Sequence, residues 1–459
     1  LQVAVADHVE SEVASFHFPG HKNRAPAPTA VSAELPLWQS DVTELPDLDD
    51  LAYPHGVLKG LAGRASRLWR SESALLSVNG ASAGNVACML AAVSHGSHVL
   101  VPRNAHRSII NGLIISGLMP IWYAPEWDAR WGVWGGVDAG VIEKALFSIE
   151  KAHRVAAVIV TSPTYAGAIS DIKKIAELCR RHGVLTIVDE AHGAHLVDGA
   201  GLPDGAISCG ADLVVHSLHK TLGGLTQCGA VHVGTSSPVS LADLQNAINL
   251  VQSSSPSYPL MVSMERAIEQ LEVHEGREKL KEVLALAKQL RAELVAMKCY
   301  AVYDSSFATD PLHILVSHER LCASALQSFL LESGIYPEAT LGNGLLLTMG
   351  MGSDQEDIDL LLRRLQQGAA AATFTTPAGN DESLGAAGTT LRPPQLEQVF
   401  APREAWLMPS HLVSREEAED QIVADYFAPC PPGIPICVPG QRLEKGVIPY
   451  LPDFVRIVS

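Results

Sequence analysis

The chain has 459 residues, of which 47% are hydrophobic and 18% charged, and carries a net charge of −17. That composition describes a globular chain long enough for two or three domains, and it excludes a disordered one. The apolar stretches are broken by Gly, Pro or charge before the roughly 18 residues that a bilayer span needs, and the acidic balance argues against nucleic acid or a membrane surface as partner while suiting a cationic small substrate. Eight scattered cysteines (Cys88, Cys179, Cys209, Cys228, Cys299, Cys322, Cys430 and Cys437) form no CxxC pair and read as reduced thiols. The chain starts at Leu1, which reads as a fragment or a processed form. The expected location is the cytoplasm, or the plastid stroma if a transit peptide has been removed.

Residues 1–60 read as a Pro-rich and acidic N-terminal arm holding "FHFPGHK" (16–22) and "DVTELPDLDDL" (41–51). From Ala62 the texture becomes α/β. "ALLSVNG" (74–80) is a strand running into a glycine turn, and "SAGNVACMLAAV" (82–93) is the helix after it. Further strands are expected at "HVLVPRN" (98–104), "VAAVIVTSPTY" (155–165), "VLTIVDEAH" (184–192) and "ADLVVHS" (211–217), with another at "GAVHVG" (229–234). Short Val/Ile runs separated by helices predict a mainly parallel sheet buried on both faces, whose ligands bind at the carboxyl ends of the strands. A major domain is therefore expected over 61–255. After "SSSPSYP" (253–259) a long helical zone runs to about Lys298. Strand-like "HILVSH" (313–318) and "GLLLTMGMG" (344–352) then predict a smaller α+β domain over 256–370. Residues 371–392 are low in complexity and read as a linker, and 393–459 as a C-terminal domain.

Polar residues gather at the predicted strand ends. "HSLHK" stops an apolar run with Ser217, His219 and Lys220 within four positions. Asp189 ends another strand with no cation beside it in sequence, and a buried carboxylate needs a partner. A pyridinium nitrogen is such a partner, with a lysine Schiff base as the second anchor of the same ring, which is the arrangement of a pyridoxal phosphate site. "NGASAGN" (79–85) offers free N–H groups at a strand-to-helix turn, as a phosphate requires; taken alone it is more often an ordinary helix start. His106 supplies a ring that could stack on the pyridine.

These segments resemble the bacterial-type ornithine/lysine/arginine decarboxylases, pyridoxal phosphate enzymes of fold type I (aspartate aminotransferase-like). The resemblance runs in order through "FHFPGHK", "DVTELPDLDDL", "VNGASAGN", "VPRNAHRSIINGLIISG", "TSPTYAG", "VDEAHGAH", "HSLHKTLGGLTQ", "SSSPSYP" and "PPGIPICVPG". It implies that Lys220 forms the Schiff base, that Asp189 pairs with the pyridine nitrogen and that His106 stacks on the ring. Ala81 through its backbone, Ser82 and Ser217 would hold the phosphate. His219 and His192 would lie beside the cofactor, and Ser254 would reach the phosphate of a neighbouring subunit, implying a homodimer or tetramer with shared sites. The implied reaction is decarboxylation of lysine, arginine or ornithine to a polyamine-type amine.

The sequence departs from the family's pattern at several places. Ala81 replaces a common Thr, His192 a Trp of the large inducible members, and Cys430 and Gln441 a Tyr and a Glu. Asp425 is the candidate for the substrate's distal cation, and a solvated surface acid is its ordinary alternative. The chain lacks room for the wing domain that builds decamers in the large members. An aminotransferase or lyase of the same fold, or a cofactor-binding homologue without decarboxylase activity, are the competing readings.

Overall fold

The computed structural model describes residues 14–22, 24, 37–45, 47–149, 154–198, 201–370, 392 and 395–459. The predicted linker therefore lies outside the described residues apart from Arg392. Chain order begins with β1 (Ala14–Phe16), a single helical turn at Leu37–Ser40 and α1 (Val57–Trp69). α1 starts where the Asp49 carboxylate accepts the N–H groups of Gly56 at 2.7 Å and Leu58 at 3.1 Å. The acidic stretch before it, expected as a loop, thus carries the anchor of a helix start.

The central sheet follows. Its elements are β2 (Ser73–Ser77), α2 (Gly80–Ala92), β3 (His98–Pro102), α3 (Arg107–Ser116), β4 (Met119–Tyr123), β5 (Val155–Thr161), α4 (Ile172–His182), β6 (Leu185–Asp189), β7 (Leu213–Ser217) and β8 (Gly229–Val233). Seven strands lie in the order β2-β8-β7-β6-β5-β3-β4. All neighbours run parallel except at β8, which is antiparallel to both β7 and β2. A short return from β7 through the Lys220 turn forces that reversal, because a parallel partner would need a long crossover. β4 has no counterpart among the expected strands. Pro120 hides it, and the ladder tolerates a proline there because β4 is an edge strand.

Register fixes where the strand ends fall. Thr161 of β5 pairs with Asp189 of β6, and Asp189 pairs with Val215 of β7. The polar ends of three neighbouring strands are therefore level. Behind them, α2 and α3 bury Met89, Ile109, Ile110 and Leu113 against Val101 and Ile187 of the sheet. Each such side chain contributes on the order of 1.5–3 kcal/mol by leaving water.

The long helical zone divides at Val273 into α5 (Tyr258–Glu272) and α6 (His274–Ala296). Beyond it come β9 (Tyr300–Val302), β10 (His313–His318), α7 (Ala323–Leu331), β11 (Ile335–Pro337), β12 (Ala339–Leu341), β13 (Gly344–Thr348) and α8 (Gln355–Ala370). Four of these strands form an antiparallel sheet in the order β9-β10-β13-β12. β1 belongs to this body rather than to a separate arm. It pairs in parallel with β11, and Ala14 and Phe16 sit in the same core as Leu290, Ile314 and Leu347. The C-terminal segment closes with the antiparallel pair β14 (Ser410–Ser414) and β15 (Phe454–Val458), over its own cluster of Leu396, Val423, Leu443 and Ile457. Among the described residues no helix is long and apolar enough to cross a membrane.

Candidate active site

A cavity of about 550 Å³ opens at the carboxyl ends of β5, β6 and β7, and Lys220, Asp189, His106, Ala81, Ser82, Ser217, His219 and His192 all line it. The structure thus brings together eight of the ten residues singled out from the sequence. The other two lie elsewhere. Ser254 is exposed and does not line this chain's cavity, nor does Asp425, whose Oδ1 accepts the N–H of Tyr426 at 2.7 Å.

Asp189 is buried at the end of β6 and its two oxygens are held separately. Asn85 Nδ2 donates to Oδ2 at 3.0 Å and Ala191 N–H to Oδ1 at 3.2 Å. Asn85 projects from α2 and also donates to Ser108 Oγ at 2.9 Å. Ser108 lies 2.9 Å from Nδ1 of His106, and its own N–H donates to that ring nitrogen at 3.2 Å, so His106 caps α3 with its side chain. The ring is therefore fixed in place. Burial pushes the His106 imidazole down to about 4, with the Asp189 charge opposing and Lys220 adding to it.

Ala81 and Ser82 lie in the first turn of α2, where Gly80 takes φ +71° and Asn79 makes no side-chain cap. The turn's N–H groups face the cavity with the positive end of a 13-residue helix behind them. Left-handed backbone at position 80 is open to glycine without strain. β8 runs close behind, because Gly229 leaves no room for a Cβ within 2.7 Å of the Gly80 carbonyl carbon.

Lys220 follows β7. Burial pushes its amine down, with Asp189 and Glu338 partly offsetting. Its Nζ lies 2.9 Å from His192 Nε2, His192 Nδ1 lies 3.0 Å from His313 Nε2, and His313 Nδ1 lies 2.9 Å from Asp310 Oδ2. His192 stands edge-on to the rings of Phe18 and Tyr165, at 5.4 and 5.3 Å between centroids. His219 turns its Nδ1 to the Cys228 carbonyl at 3.1 Å, and burial pushes its imidazole down to about 4.

The "FPGHK" segment braces the lysine turn from the other side. Gly20 N–H donates to the His219 carbonyl at 2.8 Å, and Gly352 N–H donates to the Gly20 carbonyl at 2.8 Å. A Cβ at position 20 would sit 2.7 Å from backbone atoms of Thr221 and Leu222. Gly20→Ala is therefore expected to cost about 1–3 kcal/mol of stability. A lower melting temperature and faster cofactor loss on dialysis would register it; wild-type values for both would refute the tight fit.

Several lining residues escaped the sequence reading. Glu338 lies between β11 and β12; Oε2 accepts the Phe18 N–H at 3.0 Å and Oε1 accepts the Tyr165 hydroxyl. Trp127 and Trp134 meet edge to face at 5.0 Å. Asn85 carried one available signal, a polar side chain on an otherwise apolar helix. Glu338, Asp310 and His313 carried none, because only the packing of the second sheet brings them to the strand ends of the first.

The residues present fit pyridoxal phosphate. Asp189 has no basic side chain as hydrogen-bond partner, while Asn85 Oδ1, Asn104 Oδ1 and Thr161 Oγ1 are buried in or beside the lining without a protein partner. Buried polar atoms of this kind call for a polar ligand. Lys220 stands across from them with its amine held low, and the α2 turn offers an anion seat.

Comparison with known proteins agrees. A family model described as "Orn/Lys/Arg decarboxylase, major domain" matches residues 1–317, and one described as "Orn/Lys/Arg decarboxylase, C-terminal domain" matches residues 390–457. The chain is 32% identical over 462 residues to the protein of Bacillus subtilis (strain 168) called "Uncharacterized protein YaaO", covering 100% of this chain and 94% of that one. It is 30% identical over 467 residues to an arginine decarboxylase of Halalkalibacterium halodurans, covering 97% and 91%. In three dimensions it resembles the Francisella novicida lysine decarboxylase LdcF, with a TM-score of 0.76 at 18% identity over 92% of this chain and 75% of that one.

Proposed function

The chain belongs to the Orn/Lys/Arg decarboxylase family, and on that premise we propose a role for each residue of its cavity. The protein is a pyridoxal phosphate-dependent decarboxylase of basic amino acids with the type I fold. Bound pyridoxal phosphate supplies the electron sink that accepts the pair left behind by departing CO₂. Lys220 would hold the cofactor through its amine. Asp189, oriented by Asn85 and Ala191, keeps a proton on the ring nitrogen and so preserves the sink. Ala81 and Ser82 N–H groups, with Ser217, would seat the phosphate, and the ring of His106 would lie against the pyridine. His192 orients Lys220. Lys220 or His219 returns a proton to Cα after CO₂ has left. The observation that carries this reading is the meeting of Lys220, Asp189 and the α2 turn in one cavity at level strand ends.

The distal cation of the substrate is assigned to Glu338 rather than to Asp425. Glu338 and Asp189 are the two carboxylates among the described lining residues, and Asp189 is committed to the ring nitrogen. Arginine is the substrate this pocket suits best. A guanidinium pairs with a carboxylate through two parallel N–H donors and packs flat on indole faces, which Trp127 and Trp134 provide. The relatives called arginine decarboxylase, alike over nearly the whole chain, support the same choice. Measured rates of CO₂ release should rank arginine above lysine and ornithine; a faster lysine reaction would overturn that ranking. Glu338→Gln should raise KM for arginine roughly tenfold or more with kcat little altered, since a hydrogen bond to a charged group is worth about 1.5–3 kcal/mol.

The reading extends to a homodimer in which exposed Ser254 reaches the partner's phosphate seat, to an amine product of the polyamine type, and to a cytoplasmic location. It also retains the division into a major domain over 61–255, a smaller domain over 256–370 that now takes in β1, and a C-terminal domain over 393–459.

A further inference from the structure

A row of buried side chains leads from the Lys220 amine away from the cavity. Beyond the contacts of Lys220 with His192, His192 with His313 and His313 with Asp310, the row ends at His195, whose Nε2 lies 3.1 Å from Asp310 Oδ1. His192 is 7% exposed, His313 1%, and Asp310 and His195 0%. Beyond His192, which lines the cavity, bulk water is therefore shut out.

Donors and acceptors along this row can be worked out from its far end. Asp310 also accepts the Leu312 N–H at 2.9 Å. Burial by itself would push its carboxyl up, but His195 and His313 hold it well below the usual range, so it is an anion. An anion only accepts. His195 Nε2 and His313 Nδ1 must therefore both carry hydrogen. A neutral His313 then presents a lone pair at Nε2, which His192 meets with Nδ1–H. His192 is left with a lone pair at Nε2, aimed at Lys220 Nζ. Burial, followed by the charge of Lys220, keeps His192 neutral.

We infer that Asp310 and His313 are positioning residues that fix His192 as the proton acceptor of Lys220, resting on the assignment of Lys220 as the cofactor lysine. The Lys220 ammonium passes a proton to His192 Nε2 while the Nδ1 proton of His192 passes to His313 Nε2. The Nζ lone pair is thereby freed to add to an aldehyde carbon, whose oxygen departs as water. The positive charge that leaves Lys220 comes to rest on the His313 imidazolium against Asp310. In reverse, the row returns the proton to Nζ. Other charged or titratable groups face the row: Asp189, Glu338 and Cys430 at Lys220, His106 at His192, and Glu190 at the His195 end. Arg291 donates to the backbone carbonyls of Asp310 and His313 and its charge faces Asp310, and His216 faces His195.

The test uses the full chain, freed of cofactor and reloaded with pyridoxal phosphate. In ¹⁵N-histidine spectra His192 should carry its hydrogen on Nδ1, and Asp310→Asn should mix its two ring forms. Covalent uptake of the cofactor, followed from pH 6 to 9, should be about tenfold slower in Asp310→Asn below the pH midpoint, and the midpoint should rise by about one unit. His313→Gln keeps an acceptor for His192 and a donor for Asp310 but cannot take a proton, so it should preserve the ring form yet slow uptake about as much. Melting temperatures identify which variants are folded. Wild-type uptake kinetics in either folded variant overturns the proposal. Lys220→Ala, which should abolish covalent uptake, tests the lysine assignment separately.

Discussion

Lys220→Ala is expected to lose decarboxylation entirely in practice, by roughly 10⁴-fold or more, the scale on which removal of an enzyme's covalent group acts. The expectation rests on place as much as on residue type. Lys220 follows a strand whose neighbours end level with it, its amine is held low by burial, and it lies 2.9 Å from an imidazole rather than from a carboxylate. An ammonium in a solvated loop would show none of these features. The visible band of the covalently held cofactor should disappear with the activity, while the fold persists, because the core behind β7 does not include this side chain. A variant that kept both the band and CO₂ release would sink the scheme at its root.

The second large effect is expected at Asp189. Asp189→Asn preserves shape and can still face Asn85, but an uncharged amide cannot hold a proton on the ring nitrogen. A drop of about 10²–10³-fold in kcat is expected, the usual size for loss of one well-oriented electrostatic group, with a much smaller change in KM for the amino acid. Asn85→Ala should be milder, since Ala191 N–H still orients the carboxylate. If Asp189→Asn changed KM and left kcat alone, the residue would be a binding group and not the keeper of the sink.

The strand-end residues were legible in the sequence because each stands directly after a short apolar run, so local pattern alone placed Asp189 and Lys220 at one edge. Their pairing across β6 and β7 needed only the parallel rule. β4 was hidden by Pro120, which an edge strand tolerates. The place of "FHFPGHK" was hidden by its distant partner, since Ala14–Phe16 reads as loop until β11 lies beside it. Glu338 was out of reach for the same reason, while the resemblance points to Asp425 for the distal cation. A single sequence shows which residues end a strand. It does not show which side chains a second sheet will lay over them.

That second sheet carries a consequence for how the protein is made. Gly20 bonds to both the lysine turn and Gly352, and β1 waits for β11. The contacts that brace Lys220 thus join the first described residues to residues beyond 330, a separation that chain synthesis must span before the pocket can close. Closing so large a loop is slow and gains nothing until both ends are present. Chains that stop short of β13 should therefore emerge from the ribosome with the central sheet formed and the lysine turn unsupported, dependent on chaperones and exposed to proteases at that turn.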